Sequence, residues 1–108
     1  MNLFISSIIQ ELAVRDRIAF KKHSLLRMHQ RGIGVDDVRT ALISGQVVET
    51  YEADKPLPSC LILGYTQNNR PIHAVIAPDE AEEMLWVITV YEPNIEDWEE
   101  DFRMRRNP

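Results

Sequence analysis

Cysteine is nearly absent from this sequence: Cys60 is the only one among 108 residues. A single cysteine excludes an internal disulfide and a cysteine-based metal cluster, and it favours a reducing compartment. A signal peptide is also lacking, because the apolar start MNLFISSIIQELAVRD has neither a basic head nor a small-residue cleavage site. Gln10 and Glu11 interrupt that stretch before it is long enough to span a bilayer. We therefore expect a soluble cytoplasmic protein with no membrane partner.

The motifs of common catalytic sites are missing as well. The sequence contains no glycine-rich phosphate loop, no His-Glu-x-x-His metal motif and no nucleophile elbow. His23 and His29 are six residues apart, on different sides of a predicted helix, so they do not form a zinc pair. We expect neither a metal ion nor another cofactor.

The net charge of -5 argues at first against a nucleic-acid partner. The charge is segregated, however, because residues 15–31 contain six basic side chains and one acid. The rest of the chain then has six basic and sixteen acidic side chains. A local positive patch can bind an anion, although tight nucleic-acid binding needs many neutralised phosphates.

Apolar spacing predicts three helices in the first part of the chain. The first covers residues 3–13, with Asn2 as a possible N-cap. The second covers residues 24–31 and ends at Gly32, and the third runs from Val35 to a stop at Gly45. No linker or internal repeat divides the chain, so residues 1–108 are expected to form one domain.

After Gly45 the pattern changes to strands at 46–52, 60–66, 70–77 and 84–91. A tight turn at 67–69 and a polar loop at 78–83 are both too short for a crossover helix, which predicts antiparallel neighbours. A further short helix is possible at 94–102. The predicted fold is therefore α+β, with N-terminal helices packed on a four-stranded antiparallel meander and a short C-terminal helix.

The second helix has two chemically different sides. Leu25, Leu26, Met28 and His29 fall on one side, and we expect Leu25 and Met28 to be buried there. His23, Arg27 and Arg31 follow at i, i+4 and i+8 on the other side. Two arginines at this spacing repel unless an anion lies between them. That anion is either a carboxylate of the protein itself, which spacing alone favours, or a bound phosphate gripped by planar donors.

His73 and Tyr91 are the other candidates. His73 lies inside the apolar strand RPIHAVIA, three residues after Arg70. A lone strand histidine is more often a hydrogen-bonded structural residue than a catalyst, and a one-residue slip would move it to the other side of the sheet. Tyr91 ends the last strand, where a packing role with a solvated hydroxyl is the default.

Several segments together resemble a known family. The segments KHSLLRMHQRGIGVDDVRTALISGQVVETY, LPSCLILGY, RPIHAVIA and WVITVYEP are similar to the bacterial family of domains of unknown function numbered 4258. The resemblance runs from about residue 20 to about residue 105 and leaves residues 1–19 as an added helix. Its most specific part is His23 with Arg27-Met28 and Arg31-Gly32-Ile33, and His73 also fits.

The resemblance implies a function. The family is similar in predicted architecture to the RelE and MqsR group of ribonuclease toxins, in which helices precede a small sheet that carries the RNA-cleaving residues. It implies a metal-independent endoribonuclease of a type II toxin–antitoxin system, with a YgiT-type zinc-finger and helix-turn-helix antitoxin as partner. The residues expected to act in catalysis are His23, Arg27, Arg31, His73 and Tyr91, and those expected to bind RNA are Lys22 and Arg70. The alternative is a non-catalytic module with a toxin-like fold that binds protein or nucleic acid.

The stripe of Phe4, Ile8 and Leu12 lies outside the family-like region. We expect these side chains to be buried, either on the domain itself or on a second copy of it, which would make the protein a homo-oligomer.

Overall fold

A computed structural model describes residues 5–107 as three helices and five strands. The elements, in chain order, are α1 (Ile5–Val14), β1 (Ile18–Phe20), α2 (Lys22–Gln30), α3 (Val35–Ile43), β2 (Gln46–Tyr51), β3 (Ser59–Tyr65), β4 (Pro71–Asp79) and β5 (Met84–Tyr91). The prediction of an α+β fold with helices before a meander is confirmed.

The sheet has one more strand than predicted. Its order is β1-β5-β4-β3-β2, and β2 to β5 form the expected antiparallel meander. The added strand β1 pairs in parallel with β5, opposite residues 85–87, so the sheet is mixed. The prediction of a purely antiparallel four-stranded sheet was therefore wrong, because three residues between two helices are too few to show a strand period.

One face of the sheet is covered by the helices and is apolar. Alternate residues of the central strands point to this face, as period-2 geometry requires. They include Cys60, Ile62, Ile72, Ala74, Ile76, Leu85 and Val87, all buried in one cluster with residues of the three helices. At Gly64 the backbone of α3 approaches β3 so closely that an added Cβ would overlap the carbonyl group of Ala41.

Helix α1 packs against α3 and β5 of its own chain. Leu12 is buried, as predicted, and Ile8 is half-buried, whereas Phe4 lies outside the described residues. Arg39 of α3 donates hydrogen bonds to the carbonyl oxygens of Ala13 and Val14 at 3.1 and 2.8 Å, which fixes the end of α1. The apolar stripe is thus covered within the chain, and the structure gives no support for an oligomer built on it.

The C-terminal segment (residues 94–107) forms turns instead of the predicted helix at 94–102. An antiparallel bridge joins Trp98 to Arg105, and Phe102 reverses the chain with a φ angle of 59°. Backbone hydrogen bonds from Glu99 to Met104 and from Arg106 to Asp97 hold the two halves together. The helix prediction was wrong because these pairings between the two halves outweigh the weak helical pattern of a short segment.

Candidate functional site

The alternation of β4 places His73 on the sheet face opposite the helices. Its neighbours Ile72 and Ala74 belong to the helix-covered core, so His73 points the other way. There it is covered by the C-terminal segment and is 0% exposed. The register therefore decides what the sequence left open, namely the side of the sheet on which this histidine lies.

Both ring nitrogens of His73 have partners. Nε2 lies 2.8 Å from the carbonyl oxygen of Phe102, and a carbonyl only accepts, so Nε2 carries the proton and donates. Nδ1 is then the acceptor, and the hydroxyl group of Tyr91 donates to it at 3.2 Å. Burial lowers the pKa of His73, which keeps the ring neutral at pH 7. The arrangement leaves Nδ1 as a proton acceptor that is hydrogen-bonded to the hydroxyl group of Tyr91.

Tyr91 lies between His73 and an open cavity. The two residues are cross-strand partners in the β4–β5 register. Burial raises the pKa of Tyr91, so its phenol stays protonated at neutral pH and can donate to His73. A cavity of about 250 Å³ adjoins it, lined by Tyr91, Asp97, Trp98, Arg105 and Asn107. A ligand in this cavity would meet Tyr91, with His73 enclosed behind it.

A charged cluster lies beside this pair. Arg105 donates two hydrogen bonds to the carboxylate of Glu49, at 2.8 and 3.1 Å, and the hydroxyl group of Tyr51 donates to Glu49 at 2.6 Å. The hydrogen bond from Arg105 holds the pKa of Glu49 below its ordinary value, while burial raises the pKa of Tyr51 to about 12. The guanidinium group of Arg105 also lies 4.6 Å from the ring centroid of Trp98. A cation is thus held at the rim of the cavity.

Trp98 contacts both the His73–Tyr91 pair and the charged cluster around Arg105. Its ring meets that of His73 edge-on, with 4.4 Å between centroids, and it is only 3% exposed. The aromatic ring excludes water from one side of the imidazole group, so the buried histidine is enclosed by Trp98, Tyr91 and the backbone at Phe102.

Arg31 and Arg70 lie at the end of β5 that carries Tyr91. Arg31 donates from Nη1 to the carbonyl oxygen of Val90 at 2.7 Å, and its charge acts to lower the pKa of Tyr91 against the larger effect of burial. Arg70 donates to the carbonyl oxygens of Arg31 and Gly32 at 2.9 and 2.8 Å and pairs with Glu92. Arg31 therefore binds a backbone carbonyl group of its own chain. It does not share an anion with Arg27, as the helix spacing had suggested.

The remaining predicted residues stay apart from His73. Lys22, His23 and Arg27 are exposed on α2 and, within residues 5–107, make no side-chain hydrogen bond or ion pair. The structure therefore does not bring His23, Arg27 and Arg31 together with His73 in one cleft.

Helix α2 buries a different side from the one expected. Met28 is buried, as predicted, but Leu25 is 41% exposed, so that prediction was wrong. Ser24 takes the inward position because its hydroxyl group donates to the carbonyl oxygens of Val87 and Ile88, at 3.2 and 2.9 Å. The pairing of β1 with β5 ends at Val87, and Ser24 and Arg31 satisfy the carbonyl groups there and beyond.

A family model for a domain of unknown function, DUF4258, matches residues 20–92. The chain belongs to this family. No curated protein and no solved structure matches it. The DUF4258 match includes His73 and Tyr91 but leaves out α1 and the C-terminal segment, so the similarity expected to reach about residue 105 is shown to residue 92.

The DUF4258 site contains residues that sequence reasoning missed. Glu49 and Tyr51 alternate on β2 and face the same side, which is a signal that the sequence does carry. Their contact with Arg105, 56 positions away from Glu49, has no local signal. Trp98, which encloses His73, belongs to the C-terminal segment and likewise has no local signal.

Residues 5–107 contain no group of three His, Cys, Asp or Glu side chains placed to hold a metal ion. Burial raises the pKa of Cys60 to about 12, so its thiol is not a nucleophile. Across the same residues, no helix is both long and apolar enough to cross a membrane.

Proposed function

We propose that this DUF4258 protein is a metal-independent endoribonuclease and the toxin of a type II toxin–antitoxin pair. The observation that carries the proposal is the hydrogen bond from Tyr91 to Nδ1 of His73 beside a cavity with a cation at its rim. The architecture also supports it, since helices cover one face of a small meander and titratable side chains lie on the other. That arrangement is the RelE-like and MqsR-like pattern that the resemblance implies.

Cleavage by the RNA 2′-hydroxyl group needs a base, an acid and a cation for the phosphorane charge. Tyr91 takes the proton of the 2′-hydroxyl group while its own proton passes to Nδ1 of His73. The resulting imidazolium is held by the carbonyl oxygen of Phe102 at Nε2. Because burial lowers the pKa of His73, this imidazolium is a stronger acid than a solvated one. It returns the proton through Tyr91 to the leaving 5′-oxygen.

Cations around the cavity stabilise the negative charge of the reacting phosphate. Arg105 lies at the rim, and the charge of Arg31 is felt at Tyr91. Lys22, His23 and Arg27 are exposed on α2, where they hold neighbouring RNA phosphates and take no part in the proton transfers. Arg70 positions Arg31 through its backbone carbonyl. The antitoxin proposed for this toxin is the zinc-finger and helix-turn-helix type.

The test compares RNA cleavage by the purified protein and by Tyr91→Phe, in the presence of a metal chelator. Loss of the hydroxyl group should reduce the cleavage rate about a hundredfold, and it should abolish growth arrest on induction. Tyr65→Phe is the matched control, because Tyr65 is exposed on β3 and its hydroxyl group makes no hydrogen bond within residues 5–107. A wild-type protein that cleaves no RNA and arrests no growth would contradict the proposal.

A second candidate function is a non-catalytic binding module. It is favoured by one observation: both ring nitrogens of His73 are occupied by groups of its own chain, and Arg105 is paired with Glu49. On this alternative the polar face holds the C-terminal segment in place. Tyr91→Phe would then lower the melting temperature, and no RNA cleavage would be detectable in either protein.

A further inference from the structure

A second cavity lies on the same sheet face as His73. It has a volume of about 560 Å³, and its walls include Trp86, Ala77, Ile88 and Leu57. Ala77 and Trp86 are cross-strand partners, as are His73 and Tyr91 four residues further back along β4. That spacing corresponds to about 13 Å along the strands. One bound strand of nucleic acid can therefore reach both places.

The indole ring of Trp86 is held in a fixed position. It is half-buried, and its Nε1 donates to the Oδ2 atom of Asp79 at 3.3 Å. The other oxygen of Asp79 accepts from the backbone nitrogen of Glu82. A fixed, partly exposed aromatic ring is a platform for stacking, and every nucleobase can stack because each has a flat π face.

Two lysines lie beside the aromatic wall. Lys21 is the residue before α2, and Lys55 lies in the loop between β2 and β3. Both are exposed, and neither ammonium group forms an ion pair within residues 5–107. The single carboxylate in the lining, Asp79, is already engaged by Trp86 and Glu82. The cavity therefore combines a flat apolar wall with two available positive charges.

We propose that this cavity, the Trp86 groove, binds one nucleotide of single-stranded RNA, with its base stacked on Trp86 and its phosphates held by Lys21 and Lys55. Charge complementarity selects this occupant, since an apolar peptide would leave both lysines unpaired. The proposal rests on the proposed endoribonuclease function, and it gives the substrate a second contact beside the cleavage site. It also adds Lys21, the residue before α2, to the phosphate contacts proposed for that helix.

The two tryptophans allow a direct test. Trp98→Phe leaves Trp86 as the only indole, and Trp86→Phe leaves only the buried Trp98. Each variant is titrated with a 2′-O-methyl RNA hexanucleotide, which cannot be cleaved because its 2′-oxygen is blocked. Fluorescence should be quenched strongly in Trp98→Phe and much less in Trp86→Phe, whose remaining Trp98 is 3% exposed at the cavity beside Tyr91. The absence of quenching in a folded Trp98→Phe protein would overturn the proposal and leave the groove to a protein partner.

Affinity measurements test the residues of the groove separately. The anisotropy of the labelled hexanucleotide should report about tenfold weaker binding by Trp86→Ala. Lys21→Ala and Lys55→Ala should each bind more weakly and with a smaller salt dependence. Arg103→Ala is the matched control, because it removes the same charge beside Val47 and Val48 of β2, at the opposite edge of the sheet. An equal loss in Arg103→Ala would show an effect of net charge and would contradict a defined site.

The same experiment separates this inference from the proposed enzyme. Tyr65→Phe should bind the 2′-O-methyl hexanucleotide as the wild type does, because Tyr65 lines neither of the two cavities. If the groove binds RNA but the protein cleaves none, the groove stands and the enzyme proposal fails. If the protein cleaves RNA while Trp86→Ala changes neither affinity nor cleavage, the enzyme stands and the groove proposal fails.

Discussion

The two faces of the sheet use the same strands for different purposes. On β4, Ile72 and Ala74 point into the apolar core beneath the helices, and His73 between them points to the C-terminal segment. The helix-covered face is held by close packing, whereas the opposite face combines buried apolar side chains such as Leu61 with hydrogen bonds and an ion pair. In the described part of the chain, every buried side-chain nitrogen and oxygen has a partner. The titratable groups of the candidate site are thus concentrated on the face opposite the helices.

The largest effect is expected on the helix-covered face. Gly64→Ala should destabilise the protein by about 3 kcal/mol, because its Cβ would overlap the backbone of Ala41 and force α3 away from β3. Gly34→Ala is the control: its Cβ would meet only the Oδ2 atom of Asp37, at 3.4 Å, and should cost less than about 1 kcal/mol. Urea denaturation measures both. Equal effects would show that close backbone packing does not dominate this face.

The next effect lies at the edge that joins the two faces. Arg31→Ala removes the donor to the carbonyl oxygen of Val90 and should cost about 1.5 kcal/mol in the free energy of unfolding. Arg27→Ala, one turn earlier on the exposed side of α2, should change it by less than about 0.5 kcal/mol. Thermal melting of the two variants separates these expectations. A destabilised Arg27→Ala protein would indicate that Arg27 also stabilises the fold.

The polar face should make stability depend on pH. Burial lowers the pKa of His73 in the folded state below its unfolded value of about 6.5. At a pH between these two pKa values, the unfolded chain binds more protons than the folded chain. Stability is therefore complete above about pH 6.5 and declines as the pH falls, by at most about 1.4 kcal/mol per unit. The slope should be smaller in His73→Gln than in the wild type, as measured by urea denaturation from pH 7.5 to 5. A wild-type slope retained in His73→Gln would assign the effect to other groups.

The smallest effect is expected at the ion pair of the polar face. Glu49→Gln should cost about 0.5 kcal/mol, because the partner Arg105 is 45% exposed and solvent screens the pair. Glu99→Gln removes a comparable pair with Arg106, at 3.0 Å, within the C-terminal segment. Hydrogen exchange distinguishes the two changes. Only Glu49→Gln should speed the exchange of amides in the C-terminal segment relative to those of β4, because Glu49 pairs that segment with β2, whereas Glu99 lies within the segment.

Local patterns were sufficient for much of the fold. The strand at 84–91 has the predicted bounds, and the turn at 67–69 joins β3 to β4 as expected. These succeeded because a buried strand and a tight turn each have a signal within a few residues. Strand β1 was missed, and the C-terminal segment was predicted wrongly, for the opposite reason. Their structure depends on β5, Glu49 and His73, which are distant in the sequence.

The candidate site divides in the same way. His73, Tyr91, Arg31 and Arg70 were recognisable as residue types in a family-like pattern, and the structure places all four around the end of β5. Helical spacing grouped Arg31 with His23 and Arg27, but spacing gives no information on which partner a side chain will find. Arg31 donates to the backbone carbonyl group of Val90, so it does not form one polar group with His23 and Arg27.

The sequence by itself determined the α+β class, the order of helices before a meander and membership in the DUF4258 family, because hydrophobic period and short motifs are local properties. Tertiary structure decided which face receives His73, which residues enclose it and whether Leu25 or Ser24 turns inward on α2. Those outcomes follow from strand register and from the need to satisfy buried polar groups, and both are set by contacts between distant residues.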